Sequence, residues 1–392
     1  MGIFYKPNNS WAGDFIPFYW DGEYHLFYLR DHREHGSLGG TPHLTPWHHV
    51  GTKDAIHFSD YGDAISRGTR QDQDMCAYTG CVIEADGIFH IFYMGNNPLV
   101  EETGLPKEAI MHATSRDLIN WDKDPSMCLY ADTDIYERDD WRDPFVFWNE
   151  EEHEYWMLLA ARLKNGSDFS SGRSNRGGCI ALCTSDDLVE WKIRPPLWSP
   201  SLYYTHECPD LFKIGDWWYL IFSEFSETHV TRYRMSKSIT GPWIAPKDDT
   251  FDARAWYAAK TASNGTRRFG FGWNPTRVGE NDEGLWEWGG SLIVHEINQQ
   301  PDGSLTVKLP QEVESQFHQK VYLPLEAGKY DWQIDSTTAS AQAIDGFGWC
   351  ATTEPLNGSY LISTDAAWES TTQSLGILTK IDNTLDNGYQ IK

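Results

Sequence analysis

Apolar and polar positions alternate along this chain in short runs, and each run follows a turn signal. The pattern appears as Asp21-Gly22 before Glu23-Tyr24-His25-Leu26-Phe27-Tyr28, and again as Asp86-Gly87 before Ile88-Phe89-His90-Ile91-Phe92-Tyr93. A third copy runs from Glu151-Glu152 through Tyr155-Trp156-Met157-Leu158, and a fourth from Gly215-Asp216 through Trp217-Trp218-Tyr219-Leu220-Ile221-Phe222. A fifth, weaker copy starts at Asn264-Gly265 and reaches Phe269-Gly270-Phe271. Alternation with period two beside Asp, Gly and Asn predicts β-hairpins. The copies start at 21, 86, 151, 215 and 264, so their spacings are 65, 65, 64 and 49 residues.

A second pattern follows the hairpins. Thr114-Ser115-Arg116-Asp117-Leu118-Ile119-Asn120-Trp121 matches Thr184-Ser185-Asp186-Asp187-Leu188-Val189-Glu190-Trp191, with looser forms at His57-Phe58-Ser59-Asp60 and at Ser236 through Trp243. Each predicts a third strand, with the Trp opening an outer one. A fixed period made of strands means a repeat architecture. Five four-stranded units predict an all-β fold, a five-bladed β-propeller over residues 1–312. Beyond residue 310 the pattern changes. Tyr330–Ile334, Ser359–Ser363 and Ser374–Ile381 read as short antiparallel strands, and 313–392 is expected to form a small or incomplete β-sandwich.

Counting back from each turn selects one residue per unit. Asp14 lies 7 residues before Asp21, Asp143 lies 8 before Glu151, and Glu207 lies 8 before Gly215. The same offset of 8 gives Tyr78 and Tyr257 in the other two units. First strands of a propeller line its central channel, so Asp14, Asp143 and Glu207 are expected to converge. Clustered carboxylates raise one another's pKa, which lets one act as an acid while another stays ionised. A Ca²⁺ site is the competing reading. The prolines Pro144 and Pro209 just after the second and third acids favour fixed strand ends over a calcium loop. No metal and no cofactor is therefore expected. Arg142 suits hydrogen bonding to sugar hydroxyls and pairing with a carboxylate. Trp47, His49, Tyr78 and Trp273 are the candidate walls of a substrate pocket.

Composition narrows the partners. The net charge is -25, which opposes a phosphate backbone and argues against nucleic acid. With 19 Trp and 19 Tyr, the chain has rings both for a core and for stacking on sugar faces, so the expected partner is a small carbohydrate. No apolar run is long enough to span a membrane, and the start shows no basic region followed by an apolar stretch. The seven Cys are scattered and odd in number, as in reduced cytosolic proteins. A cytoplasmic protein is expected, and its oligomeric state is left open.

Several motifs carry a resemblance. Trp141-Arg142-Asp143-Pro144 and Glu207-Cys208-Pro209-Asp210 resemble the "RDP" and "ECPD" motifs of glycoside hydrolase family 32, the β-fructofuranosidases. Tyr24-His25-Leu26-Phe27-Tyr28, Tyr78-Thr79-Gly80-Cys81, Tyr257-Ala258-Ala259-Lys260-Thr261 and Trp288-Gly289-Gly290-Ser291-Leu292 are similar to further motifs of that family, in the family's order. The resemblance implies a propeller and cleavage of terminal β-D-fructofuranosyl linkages with retention of configuration. It implies Asp14 as nucleophile, Glu207 as general acid/base and Asp143 as the residue gripping sugar hydroxyls. The chain departs from the family's first motif, "W-M-N-D-P-N-G", where Gly13 replaces the Asn before the nucleophile, and from "HLFYQ", where Leu29 stands last. An inverting arabinan- or xylan-type hydrolase on the same fold is the alternative enzyme. A non-catalytic sugar-binding propeller is the alternative without chemistry.

Overall fold

The computed structural model describes residues 4–33, 45–164, 176–254, 256–322, 324–335, 337–342, 348–352, 354, 358–380 and 388–391. The chain divides into two units, Met1–Val313 and Glu314–Lys392.

The first unit is built from antiparallel sheets in a propeller-like arrangement. The first sheet holds β1 (Trp11–Trp20), β2 (Glu23–Asp31), β3 (Trp47–Thr52) and β4 (Phe58–Ile65). The second holds β5 (Cys76–Ala85), β6 (Ile88–Asn96), β7 (Glu108–Ser115) and β8 (Asp122–Leu129). The third holds β9 (Arg142–Asn149), β10 (Glu154–Arg162), β11 (Gly178–Ser185) and β12 (Lys192–Trp198). Next come β13 (Glu207–Ile214), β14 (Trp217–Glu224) and β15 (Val230–Ser236), then β16 (Tyr257–Ser263), β17 (Arg268–Arg277), β18 (Trp286–Gln299) and β19 (Leu305–Lys308). The last group joins the first sheet through the single pair Ala12↔Gly290.

One expected strand is missing. After β15, only the isolated bridges Arg232↔Thr250 and Met235↔Ile244 stand where a fourth strand was expected. Pro242 and Pro246 lie in that segment, and a proline cannot donate to a ladder.

The first strands pack side by side: β1 against β5, β5 against β9, β9 against β13, β13 against β16, and β16 back against β1. Sheets lock to their neighbours through aromatic edges. Trp121, just before β8, meets Phe27 of β2 edge-on at 5.9 Å, and Trp191, just before β12, meets Phe92 of β6 in the same way at 5.5 Å. These are the Trp residues of the second sequence pattern. Their turns are closed by Asp117 and Asp187, which accept backbone N–H bonds from Ile119 and Asn120, and from Val189 and Glu190.

Histidines are also buried between strands. His25 and His49 share one hydrogen bond of 2.9 Å, and His90 and His112 form the corresponding pair at 2.9 Å. His206 lies among Trp198, Tyr203 and Phe222. Burial, then the neighbouring His25, pushes His49 down to about 3; burial, then His90, pushes His112 down to about 4. Burial, then Arg234, takes His206 to about 3. The unfolded chain takes up these protons near pH 6.5, while the fold refuses them until pH 3–4. Stability is therefore full above 6.5 and falls with pH below it, by of order 2 kcal/mol per histidine at pH 5. Tm is expected to drop between pH 7 and pH 5, and less steeply in His206→Phe.

In the second unit the described strands form three two-stranded ladders. β20 (Leu325–Lys329) pairs with β23 (Trp349–Thr352), β21 (Gln333–Ile334) with β22 (Ala339–Ser340), and β24 (Ile377–Thr379) with β25 (Tyr389–Ile391). Ser359–Ser363 forms no strand and is largely exposed, so its apolar residues have no sheet face to pack on. Ile381, the end of another expected strand, lies outside the described residues. Among the described residues no helix is long and apolar enough to cross a membrane.

Candidate active site

Each first strand carries a β-bulge at the same depth. Pairing skips between Gly13 and Ile16 on β1, and between Ala77 and Gly80 on β5. It also skips opposite Leu158–Ala160 on β9, between Glu207 and Asp210 on β13, and between Tyr257 and Lys260 on β16. Asp14, Asp143, Cys208 and Ala258 enter these bulges with φ of 51°, 58°, 50° and 50°. Left-handed φ is uncommon outside glycine, and bulges re-aim side chains beside active sites. Strain of this kind clusters at functional sites, and its repetition picks out one end of the sheets as the candidate.

The bulge register refines the turn count. Asp14 and Asp143 are equivalent, but their counterpart on β13 is Cys208. Glu207 lies one residue earlier, equivalent to Arg142 and Tyr257. Turn lengths differ between units, with two residues between Ile214 and Trp217 but four between Asn149 and Glu154, so a count from the turn slips by one.

The acids are tied together from several sides. The Arg142 guanidinium donates to Glu207 Oε1 at 3.0 Å, lies 4.0 Å from Asp143 Oδ2, and also donates to Asp140. The Cys208 backbone N–H donates to Asp143 Oδ2 at 2.9 Å. Tyr257 donates its hydroxyl to Glu207 Oε2 at 2.5 Å, and the Trp273 Nε1–H donates to Asp14 Oδ1 at 3.1 Å. Tyr257 and Trp273 are directly opposite each other on β16 and β17. One cross-strand pair thus orients two carboxylates. His229 stacks on the Tyr257 ring at 4.1 Å.

Burial and like charge raise the carboxyl groups. Burial first, then the charges of Asp143 and Glu207, lifts Asp14 to about 8 against the Trp273 hydrogen bond and Lys260. Burial lifts Asp143 to about 6, with Arg142 opposing and Glu207 adding. Burial, then Glu207, pushes the Tyr257 phenol well up, so it stays a donor. The set holds one proton at neutral pH, gains a second as pH falls through about 6 and loses the first as pH rises through about 8. If turnover needs exactly one shared proton, kcat/KM follows a bell with limbs near those two values. A pH–rate profile checks this; a flat profile between pH 5 and 9 contradicts it.

The remaining expected residues separate into two groups. Trp273, 2% exposed, touches Asp14, and Tyr78 is half-buried in the bulge of β5. Trp47 and His49 do not join the acids. Both lie on β3, two strands out from β1. Trp47 is fully buried and donates its indole N–H to the Tyr78 carbonyl at 2.9 Å, while His49 stacks on Phe27 at 4.1 Å. Aromatic content suggested a pocket wall, but strand position makes them core. Tyr257, Lys260 and Trp288 were not picked out as site residues. Tyr257 already shared the turn register, which was the available signal.

Gly13 has a physical reason. A Cβ there would sit 2.5 Å from Trp288 Cζ2. The Trp288 ring, 5.4 Å from that of Trp273, occupies the space a side chain before Asp14 would need. Gly13→Asn is expected to displace Trp288 and with it Asp14, lowering kcat at least tenfold while the fold persists; steady-state kinetics beside a thermal melt checks both.

Residues 5–294 match the model of the glycosyl hydrolases family 32 N-terminal domain. The chain belongs to glycosyl hydrolase family 32. Among its family-32 relatives, the raffinose invertase of Escherichia coli is 28% identical over 210 residues, covering 52% of this chain and 39% of that protein. The levanbiose-producing levanase of Bacillus subtilis is 26% identical over 266 residues, covering 66% of this chain and 45% of that protein. The sucrose-6-phosphate hydrolase of Escherichia coli is 26% identical over 360 residues, covering 86% and 70%. This family-32 chain therefore spans less than half the length of the first two. In fold it is similar to the β-fructofuranosidase of Bombyx mori, with TM-score 0.62 and 18% identity over 83% of this chain and 68% of that one. It is similar too to the sucrose-6-phosphate hydrolase of Lactobacillus gasseri, with TM-score 0.63 and 18% identity over 85% and 67%. These likenesses do not favour the arabinan- or xylan-type alternative.

Proposed function

We propose that this chain hydrolyses terminal β-D-fructofuranosyl linkages, in sucrose, fructo-oligosaccharides or fructan, by a retaining double displacement. The observation that carries it is the convergence of Asp14 and Glu207 through the Tyr257–Trp273 pair, with Arg142 joining Glu207 to Asp143. In the first step Glu207, as general acid, delivers a proton to the leaving oxygen as the Asp14 carboxylate attacks the anomeric carbon. In the second step Glu207 takes a proton from water, which attacks that carbon and releases Asp14. Asp143, fixed by the Cys208 N–H, accepts hydrogen bonds from sugar hydroxyls as charge builds on the ring.

The closed sequence of first strands, β1, β5, β9, β13 and β16, supports five blades with the site in their central channel. The short ladders after Glu314 fit a small β-sandwich-like unit. All seven cysteines are free, which fits a reducing compartment and supports a cytoplasmic location. Domain limits of 1–312 and 313–392 accord with these readings. The test is incubation with sucrose, sucrose 6-phosphate, inulin, levan and arabinan, with the released sugars identified. Free fructose from one of the fructosides is expected. Arabinose from arabinan, or no release from any, contradicts the proposal.

A further inference from the structure

The bulges set a second layer, one step deeper than the acids. Where pairing resumes after each bulge stand Ile16, Gly80, Phe145, Asp210 and Lys260. Two of these are ionisable. Asp210 is 1% exposed, and its Oδ2 accepts from the Thr261 N–H at 2.6 Å and the Thr261 hydroxyl at 2.7 Å, with Arg268 as its leading countercharge. Lys260 is 3% exposed and donates from Nζ to the Gly80 carbonyl at 2.8 Å. That bond reaches from β16 to β5, past the β1 that lies between them, so the side chain crosses under the ring of first strands.

A buried ammonium is costly unless its charge is answered, and a single backbone carbonyl uses one of its three N–H groups. The charge of Lys260 acts on Asp14 of β1, Cys81 of β5, Asp143 of β9, and Cys208 and Asp210 of β13. The thiols stay neutral, because burial pushes Cys81 up to about 11 and Cys208 well above its usual value. Asp210 has its own partners. Of Asp14 and Asp143, Asp14 is the carboxylate without a cation within 4 Å among the described residues. Arg142 serves Asp143 and Glu207 from the layer of the acids. Asp14 has the indole hydrogen bond from Trp273.

We propose that Lys260 is a positioning residue for the reaction, a fixed cation beneath the acids that favours the charged forms of Asp14 and Asp143. This rests on the proposed hydrolysis. Lys260 touches no substrate. It acts through Asp14, whose attack requires the charged form, and it sits on the side away from the incoming sugar.

The test is Lys260→Met, which keeps the length and removes the charge, beside Lys260→Gln and Lys260→Arg. The acid limb of kcat/KM against pH is expected to move up by about one unit in the Met and Gln variants. At pH 6, kcat should fall about fivefold with KM nearly unchanged, and Lys260→Arg should restore the limb. A lower Tm with an unmoved limb means a purely structural role and overturns the inference. A Tm cycle with Asp14→Asn reads the same coupling without turnover: Lys260→Met should cost less stability in the Asp14→Asn background, and additive losses overturn the inference. If the wild type cleaves no fructoside, the proposed function fails. If it does and the limb stays, only the role of Lys260 fails.

Discussion

Asp14→Asn is expected to lower kcat on a β-fructofuranoside by about 10⁵-fold while leaving the melting temperature within a few degrees of wild type. The magnitude is that of removing a nucleophile from a two-step mechanism, where no other group takes over the covalent step. Asn keeps the shape of the side chain, and its amide oxygen can still accept from Trp273 Nε1 at the present 3.1 Å. What is lost is the charge. Removing it also removes like-charge pressure, because Asp143 and Glu207 both push Asp14 up. The variant should therefore fold well and bind substrate with little change in affinity. Single-turnover kinetics with an active-site titration separates this from misfolding. Residual activity within tenfold of wild type would remove Asp14 from the chemistry.

Glu207→Gln is expected to cost about 10³-fold in kcat, in the usual range for general acid–base catalysis. Its effect should depend on the leaving group, which Asn at position 14 does not predict. A substrate whose leaving oxygen needs no proton should be fructosylated onto Asp14 almost normally, then stall because no base activates water. A burst followed by slow turnover is the expected trace. The neighbours sharpen this. Both oxygens of Glu207 are held, by Arg142 at 3.0 Å and Tyr257 at 2.5 Å. A Gln amide offers one acceptor oxygen to the two donors and turns its NH₂ toward the other. Equal losses for good and poor leaving groups would contradict the assignment.

Much of this site was legible in the sequence, for a reason that lies in the fold. Each unit repeats a hairpin, and the residue seven or eight positions before its turn reaches the centre. Counting alone selected Asp14, Asp143 and Glu207. The one-residue discrepancy between 7 and 8 was itself a signal. It reflects turns of different length and bulges, and no residue pattern announces a bulge when the residue entering it is Asp, Cys or Ala. The positions where sequence reasoning failed are those decided by packing across strands. Trp47 and His49 sit in an aromatic run that suits a pocket, yet both are on the third strand of their sheet and are buried by Phe27 and its neighbours. Lys260 reads in sequence as one more charge in a short strand, and only the Gly80 carbonyl across the ring gives it a place. The outer strand expected after β15 is absent, and Pro242 and Pro246, which cannot donate to a ladder, are the reason.

Gly13 shows how a departure from a family motif is explained by its neighbour. Trp288, on a strand 275 positions further along the chain, fills the space beside it. Exchange of one without the other should fail.

The most direct test of the central claim is the configuration of the first-formed product. Wild-type protein at high concentration is mixed with sucrose, or with whichever fructoside it cleaves, and the released fructose is followed by NMR before it mutarotates. The account predicts β-fructofuranose as the initial species, as an Asp14-bound fructosyl intermediate requires. Initial appearance of the α anomer would contradict it.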